Sequence, residues 1–131
     1  MPSSTSFETL KSRIENNEVV IGVVGLGYVG LPLVDAFVRA GIRAIGYDVD
    51  QQKIDKLCQL ESYIGHIPSQ KLKDWHEKEA FQATANIERL AEADAILVCV
   101  PTPLTESRDP DLSYVTSTFQ AISKILRAGQ L

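Results

Sequence analysis

Apolar residues along the chain fall into two arrangements, short continuous runs and positions three and four apart. Runs fit strands buried on both faces, and the wider spacing fits helices with one inward stripe. Phe7, Leu10 and Ile14 predict an amphipathic helix that follows a polar leader, residues 1–6, and ends near Asn16 and Asn17. A β-branched run over 19–24 comes next, and Val29, Leu33, Phe37 and Ala40 then recur at helical spacing until Gly41 stops them. Residues 42–47 predict a second strand. Asp50 is the expected N-cap of a helix reaching Leu60, with Ile54, Leu57 and Cys58 on its buried stripe. Ser69 is the expected cap of another, carrying Leu72 and Trp75 on one side.

Residues 81–84 predict a short strand, and Asn86 caps a brief helix through Ile87, Leu90 and Ala91. The run 95–100 reads as a parallel strand buried on both faces, with Cys99 packed inside it. Pro101 and Pro103 end it, since neither can donate to a ladder. A polar loop over 104–111 leads into a last helix, residues 112–127, with Val115, Phe119, Ile122 and Leu126 as its stripe and Gly129 as its stop.

This alternation predicts an α/β fold, a doubly wound parallel sheet of the Rossmann-like kind with strand order 3-2-1-4. In such sheets ligands bind at the carboxyl ends of the strands, where the winding reverses. The expected division is a leader with its helix over 1–17 and a nucleotide-binding domain over 18–131. With 131 residues the chain is short for a complete six-stranded dinucleotide fold, and Gln130 and Leu131 read as the start of a fifth strand.

The candidate chemistry sits at the first strand's end, where Gly25, Gly27 and Gly30 are spaced G-x-G-x-x-G. That motif alone is weak, but here it follows a strand pattern and opens a helix pattern. Gly25 allows the sharp turn, Gly27 lets a diphosphate approach the main chain, and Gly30 lets the helix pack closely. Pro32 falls in the first helical turn, where its missing N–H costs little. Asp48 closes the second strand at the spacing expected of a carboxylate that accepts from ribose hydroxyls. A 2′-phosphate would be repelled there, so NAD is favoured over NADP. Thr102, between two prolines at the mouth of the fourth strand, reads equally as a turn residue or as a cofactor contact. Lys53, by spacing alone, is a solvated surface lysine.

Composition narrows the partners. Apolar residues make up 44% and charged residues 23%, with a net charge of −4, which argues against nucleic acid and anionic membranes. No run is long enough to span a bilayer, and the N-terminus lacks the form of a signal peptide. His66 and His76 have no neighbours that would complete a zinc set, so no metal is expected. Cys58 and Cys99 give no disulfide framework, and a cytoplasmic location is the simplest account.

Several blocks together carry a resemblance. They are Ile21-Gly22-Val23-Val24-Gly25-Leu26-Gly27-Tyr28-Val29-Gly30-Leu31-Pro32-Leu33, Gly46-Tyr47-Asp48-Val49-Asp50, Glu61-Ser62-Tyr63-Ile64-Gly65-His66-Ile67-Pro68-Ser69 and Val98-Cys99-Val100-Pro101-Thr102-Pro103-Leu104. From about Val19 onward the chain resembles the NAD-binding domain of the UDP-glucose/GDP-mannose dehydrogenase family, the nucleotide-sugar 6-dehydrogenases. The 63–69 stretch and Pro110-Asp111-Leu112-Ser113-Tyr114-Val115 are most similar to its UDP-N-acetylhexosamine members, UDP-N-acetylglucosamine 6-dehydrogenases in particular. The resemblance implies an NAD-dependent, four-electron oxidation of the sugar C6 alcohol to a carboxylate, with a UDP-sugar as substrate. It implies that Tyr28, Val29 and Gly30 line the diphosphate, Asp48 and Lys53 meet the adenosine ribose, and Pro101 and Thr102 form the cofactor-contacting turn.

The family's nucleophilic cysteine belongs to a glycine-rich motif in a later domain, and neither Cys58 nor Cys99 matches it. No catalytic residue is therefore expected in this chain, which holds the cofactor half of the enzyme and is expected to be inactive alone. The alternative is a stand-alone, non-catalytic dinucleotide-binding or interaction module. A hydroxyacid-type dehydrogenase is a weaker rival, because its match would stop at the glycine turn. An apolar fourth strand left at the sheet edge predicts self-association into a homo-oligomer, through that edge or through the leader helix.

Overall fold

Val20–Val24 form β1, one of the two inner strands of a four-stranded sheet; the computed structural model describes residues 4–131. Before it lies α1 (Ser4–Glu15); after it come α2 (Gly30–Arg39), β2 (Arg43–Tyr47), α3 (Gln51–Cys58) and α4 (Ser69–Glu77). Then follow β3 (Phe81–Thr84), a 3-10 helix (Ile87–Glu92), β4 (Ala95–Val98) and α5 (Ser113–Ser123). All pairings are parallel and the strand order is β3-β2-β1-β4, as the sequence pattern predicts. On one face of the sheet Val23, Leu26, Leu31 and Val34 are fully buried among α2, α3 and α4. Trp75 and Phe81 meet edge to face there, with centroids 5.5 Å apart. A smaller cluster around Val24, Leu90 and Ile122 covers the other face.

Two carboxylates fasten the layers. Asp35 of α2 is bound by Lys71 of α4 at 2.8 Å and by Arg39 at 3.2 Å. Asp94, just before β4, accepts from the Val20 N–H at 2.8 Å and from Arg13 of α1 at 3.0 and 3.2 Å, with Arg127 at 3.5 Å. The far side of β4 is already used at its start. The Leu131 N–H donates to the Asp94 carbonyl and the Ile96 N–H to the Leu131 carbonyl, two bonds of a parallel ladder.

Several local expectations are corrected. The first helix begins at Ser4, inside the stretch read as polar leader; residues 1–3 lie outside the described residues. Cys58 is exposed, not on the buried stripe, because α3 ends at this residue and only Ile54 and Leu57 turn inward. Ser69 is the first helical residue, and Pro68 takes the cap position. The Ser69 hydroxyl instead accepts from the Ser62 N–H at 3.1 Å. Asp50 and Asn86 do cap their helices, each accepting from the N–H two residues on. Beyond Ala95, β4 is only partly buried, since β1 is its one neighbouring strand. The last helix is shorter than its apolar period, and Ile122 is its buried residue while Phe119 and Leu126 stay exposed.

Candidate functional site

At the carboxyl end of β1 the chain turns through Gly25, whose φ is +95°, a conformation L side chains rarely adopt. A Cβ on Gly25 would also fall 2.5 Å from the Cys99 carbonyl oxygen, so the turn passes hard against the end of β4. One on Gly30 would lie 1.6 Å from the Gly25 oxygen, which is why α2 can start directly over the turn. Gly27 is different: a Cβ there would meet nothing within 4 Å. Its missing side chain serves no internal packing and leaves a bare stretch of main chain facing outward. The N-terminus of α2 carries no side-chain cap, and its amides and positive dipole end suit an anion. Tyr28 and Val29 project from the turn into solvent.

Asp48 reaches this turn from the end of β2. Its Oδ2 accepts the Leu26 N–H at 2.9 Å, and its Oδ1 accepts the Asp50 N–H at 2.9 Å. The residue is 8% exposed. Lys53, on the first turn of α3, holds its ammonium 3.9 Å from Oδ2 and 5.9 Å from the centre of the Tyr63 ring. The Tyr63 hydroxyl donates to the Leu26 carbonyl at 2.5 Å. Burial, then the charges of Asp48 and Asp50, push the Tyr63 phenol well above its ordinary range, so it remains a donor.

Pro101 and Thr102 lie exposed past the end of β4, two and three residues after Cys99, whose carbonyl oxygen faces Gly25. The small hairpin that follows is closed by an isolated bridge between Leu104 and Pro110. The glycine turn, Asp48 and Lys53 are thus brought together by direct contacts, and Pro101 and Thr102 leave the sheet at the same carboxyl edge. The Tyr63 contact is the part that residue patterning missed, since a loop tyrosine carries no period. A hollow of about 310 Å³ lined by Leu57, Cys58, Leu72, His76, Phe81 and Arg89 contains none of the turn residues. Among the described residues no group of three or more His, Cys, Asp or Glu could hold a metal ion, and no helix is long and apolar enough to cross a membrane.

A parallel 3-2-1-4 sheet with a glycine turn after its first strand and a carboxylate closing its second is a Rossmann-type dinucleotide-binding domain. Residues 19–131 match the UDP-glucose/GDP-mannose dehydrogenase family, NAD binding domain, and the chain belongs to that family as its NAD-binding domain. It is 35% identical over 116 residues to UDP-N-acetyl-D-mannosamine dehydrogenase of Salmonella typhi, an alignment covering 85% of this chain and 26% of the relative. It is 32% identical over 114 residues to UDP-N-acetyl-D-glucosamine 6-dehydrogenase of Pseudomonas aeruginosa, covering 87% of this chain and 26% of that protein. The crystal structure of NDP-N-acetyl-D-galactosaminuronic acid dehydrogenase from Methanosarcina mazei Go1 superposes with a TM-score of 0.79 at 26% identity, covering 98% of this chain and 29% of that one. The chain therefore spans about a quarter of the length of the relatives it matches.

Proposed function

We propose that this chain is the cofactor-binding part of a nucleotide-sugar 6-dehydrogenase that carries the C6 alcohol of a UDP-N-acetylhexosamine to a carboxylate. The observation that carries the reading is the Asp48–Leu26 hydrogen bond beside the bare main chain of Gly27. It puts a fixed carboxylate and an unobstructed stretch of backbone on one rim, the pairing that an adenine dinucleotide needs.

In this reading Gly25 and Gly30 shape the turn, and the main-chain amides of Gly27, Tyr28 and Val29 meet the diphosphate. Asp48 and Lys53 hold the adenosine ribose, and Pro101 and Thr102 flank the middle of the dinucleotide. Each Asp48 oxygen already accepts one N–H, and a carboxylate offers about four acceptor sites, so capacity for ribose hydroxyls remains. When bound, NAD supplies the hydride acceptor. The names of the matched relatives support an N-acetylhexosamine as the sugar.

Neither cysteine suits the part of a nucleophile at the turn. Burial raises the Cys99 thiol above its ordinary range, the reverse of what a reactive thiolate needs. Cys58 lies in the α3–β3 hollow, away from the turn residues. On this reading the chain binds NAD without oxidising sugar. It also places the protein in the cytoplasm, a compartment that suits its free cysteines, and as a homo-oligomer, which its exposed α5 stripe supports.

Calorimetric titration of the 131-residue chain with NAD and NADP is the test. The expected result is one NAD site per chain, with NADP weaker by about tenfold or more through repulsion from Asp48. No NAD binding, or equal affinities, overturns the cofactor assignment. NADH formation on adding UDP-N-acetylglucosamine or UDP-N-acetylmannosamine to this chain overturns its inactivity alone.

A further inference from the structure

Leu26, between the first two glycines of the turn, is 0% exposed, and side chains from two different loops hold its peptide groups. Asp48, after β2, accepts its N–H, and Tyr63, between α3 and α4, donates to its carbonyl. The loop that carries Tyr63 is itself pinned. Ile64 and Ile67 are buried in the core, the Ser62 N–H donates to the Ser69 hydroxyl at 3.1 Å, and the Ser62 hydroxyl donates to the Ile64 carbonyl at 3.0 Å.

The Leu26 carbonyl and the Gly27 N–H belong to one planar trans peptide, in which the two bonds point in opposite directions. Whatever fixes that carbonyl therefore fixes the direction of the Gly27 N–H. We propose that Tyr63 is a positioning residue for NAD: its hydroxyl, by holding the Leu26 carbonyl, aims the Gly27 N–H away from the protein at the diphosphate. The inference rests on the reading that this turn takes the diphosphate, and it adds a residue that reaches the cofactor only through the main chain.

The distinguishing feature is a split between two ligands. Tyr63→Phe keeps the ring packing and the Lys53 contact but removes the donor. Calorimetry should show NAD weakened by about fivefold, the loss of one ordinary hydrogen bond's worth of orientation, with adenosine changed by less than about twofold. Adenosine carries the ribose without a diphosphate, so it does not sense the Gly27 N–H. A merely structural role for Tyr63 would weaken both ligands alike. Thermal unfolding of the variant accompanies the titrations, and a Tyr63→Phe chain that no longer folds overturns the proposal by making the hydroxyl a folding determinant. Equal NAD affinity in the variant and the unaltered chain overturns this inference alone. Failure of the unaltered chain to bind NAD overturns the cofactor reading as well.

Discussion

The Asp48 carboxylate accepts the Leu26 N–H at 2.9 Å across 22 positions of sequence, so the group read as a ribose ligand also ties the second strand to the glycine turn. Replacing it therefore has two separable effects. Asp48→Ala leaves the buried Leu26 and the Asp50 N–H groups without their acceptor and should lower stability by about 1–3 kcal/mol. It also removes the charge-assisted bonds to the ribose, and NAD affinity should fall by about tenfold or more. NADP affinity should fall less, because the repulsion disappears together with the attraction. Denaturant unfolding and paired titrations check this; an unchanged NAD-to-NADP ratio would count against Asp48 as the selector.

The glycines of the turn divide along the same line. Gly27 has open space where a Cβ would stand. Gly27→Ala should thus keep its stability within about 1 kcal/mol and lose about tenfold or more in NAD affinity, since the new methyl stands in the diphosphate's path. Gly30 has the Gly25 carbonyl 1.6 Å from the same atom. Backbone cannot yield there, and Gly30→Ala should cost about 3 kcal/mol or more. Melting curves with and without NAD separate the two; a stable Gly27→Ala chain that binds NAD normally would remove the turn from the site.

The frame of the site was legible in the sequence because its causes are local. A β-branched run, three spaced glycines and an acid at the next strand's end each follow from the backbone geometry they impose, and the 3-2-1-4 order follows from the alternation of elements. Other features depend on where distant segments meet. The Tyr63 hydroxyl finds Leu26 only because Ile64 and Ile67 peg its loop, and no periodicity encodes that. Cys58 fitted the apolar spacing of its helix and still turned outward, since α3 ends there. Periodicity finds an apolar face; it does not say what covers it.

At the amino end of the sheet, Asp94 gives a prediction in pH. Burial alone would raise this carboxyl, but the Val20 N–H, Arg13 and Arg127 outweigh burial and hold it below its ordinary 3.8. A carboxyl depressed in the folded state adds stability above its unfolded value and loses it as pH falls through the folded one. The contribution is therefore full at neutral pH, begins to fall near the ordinary 3.8 and is gone only below the lower folded value. Asp94→Asn keeps an acceptor for Val20 without the charge and should be about 1–2 kcal/mol less stable at neutral pH. Urea unfolding across the acid range should show the two chains converging as Asp94 protonates. A gap that stays constant with pH would mean that the charge pairs with Arg13 and Arg127 are energetically silent.

The exposed stripe of α5 bears on association. Phe119 of α5 is 53% exposed and Leu126, just past the end of the helix, 55%, with Tyr114 and Leu112 also exposed near the helix's start. Exposed apolar side chains gathered along one segment favour contact with a second copy. Covering the exposed half of each large side chain contributes about 1 kcal/mol, so a two-fold contact that uses both residues from both copies gains about 4 kcal/mol from them. The sedimentation coefficient of the chain should accordingly rise with concentration. In Phe119→Ser combined with Leu126→Ser it should stay at the monomer value, with NAD affinity unchanged because α5 lies outside the turn. A concentration-independent monomer for the unaltered chain would rule out this face as a self-association surface.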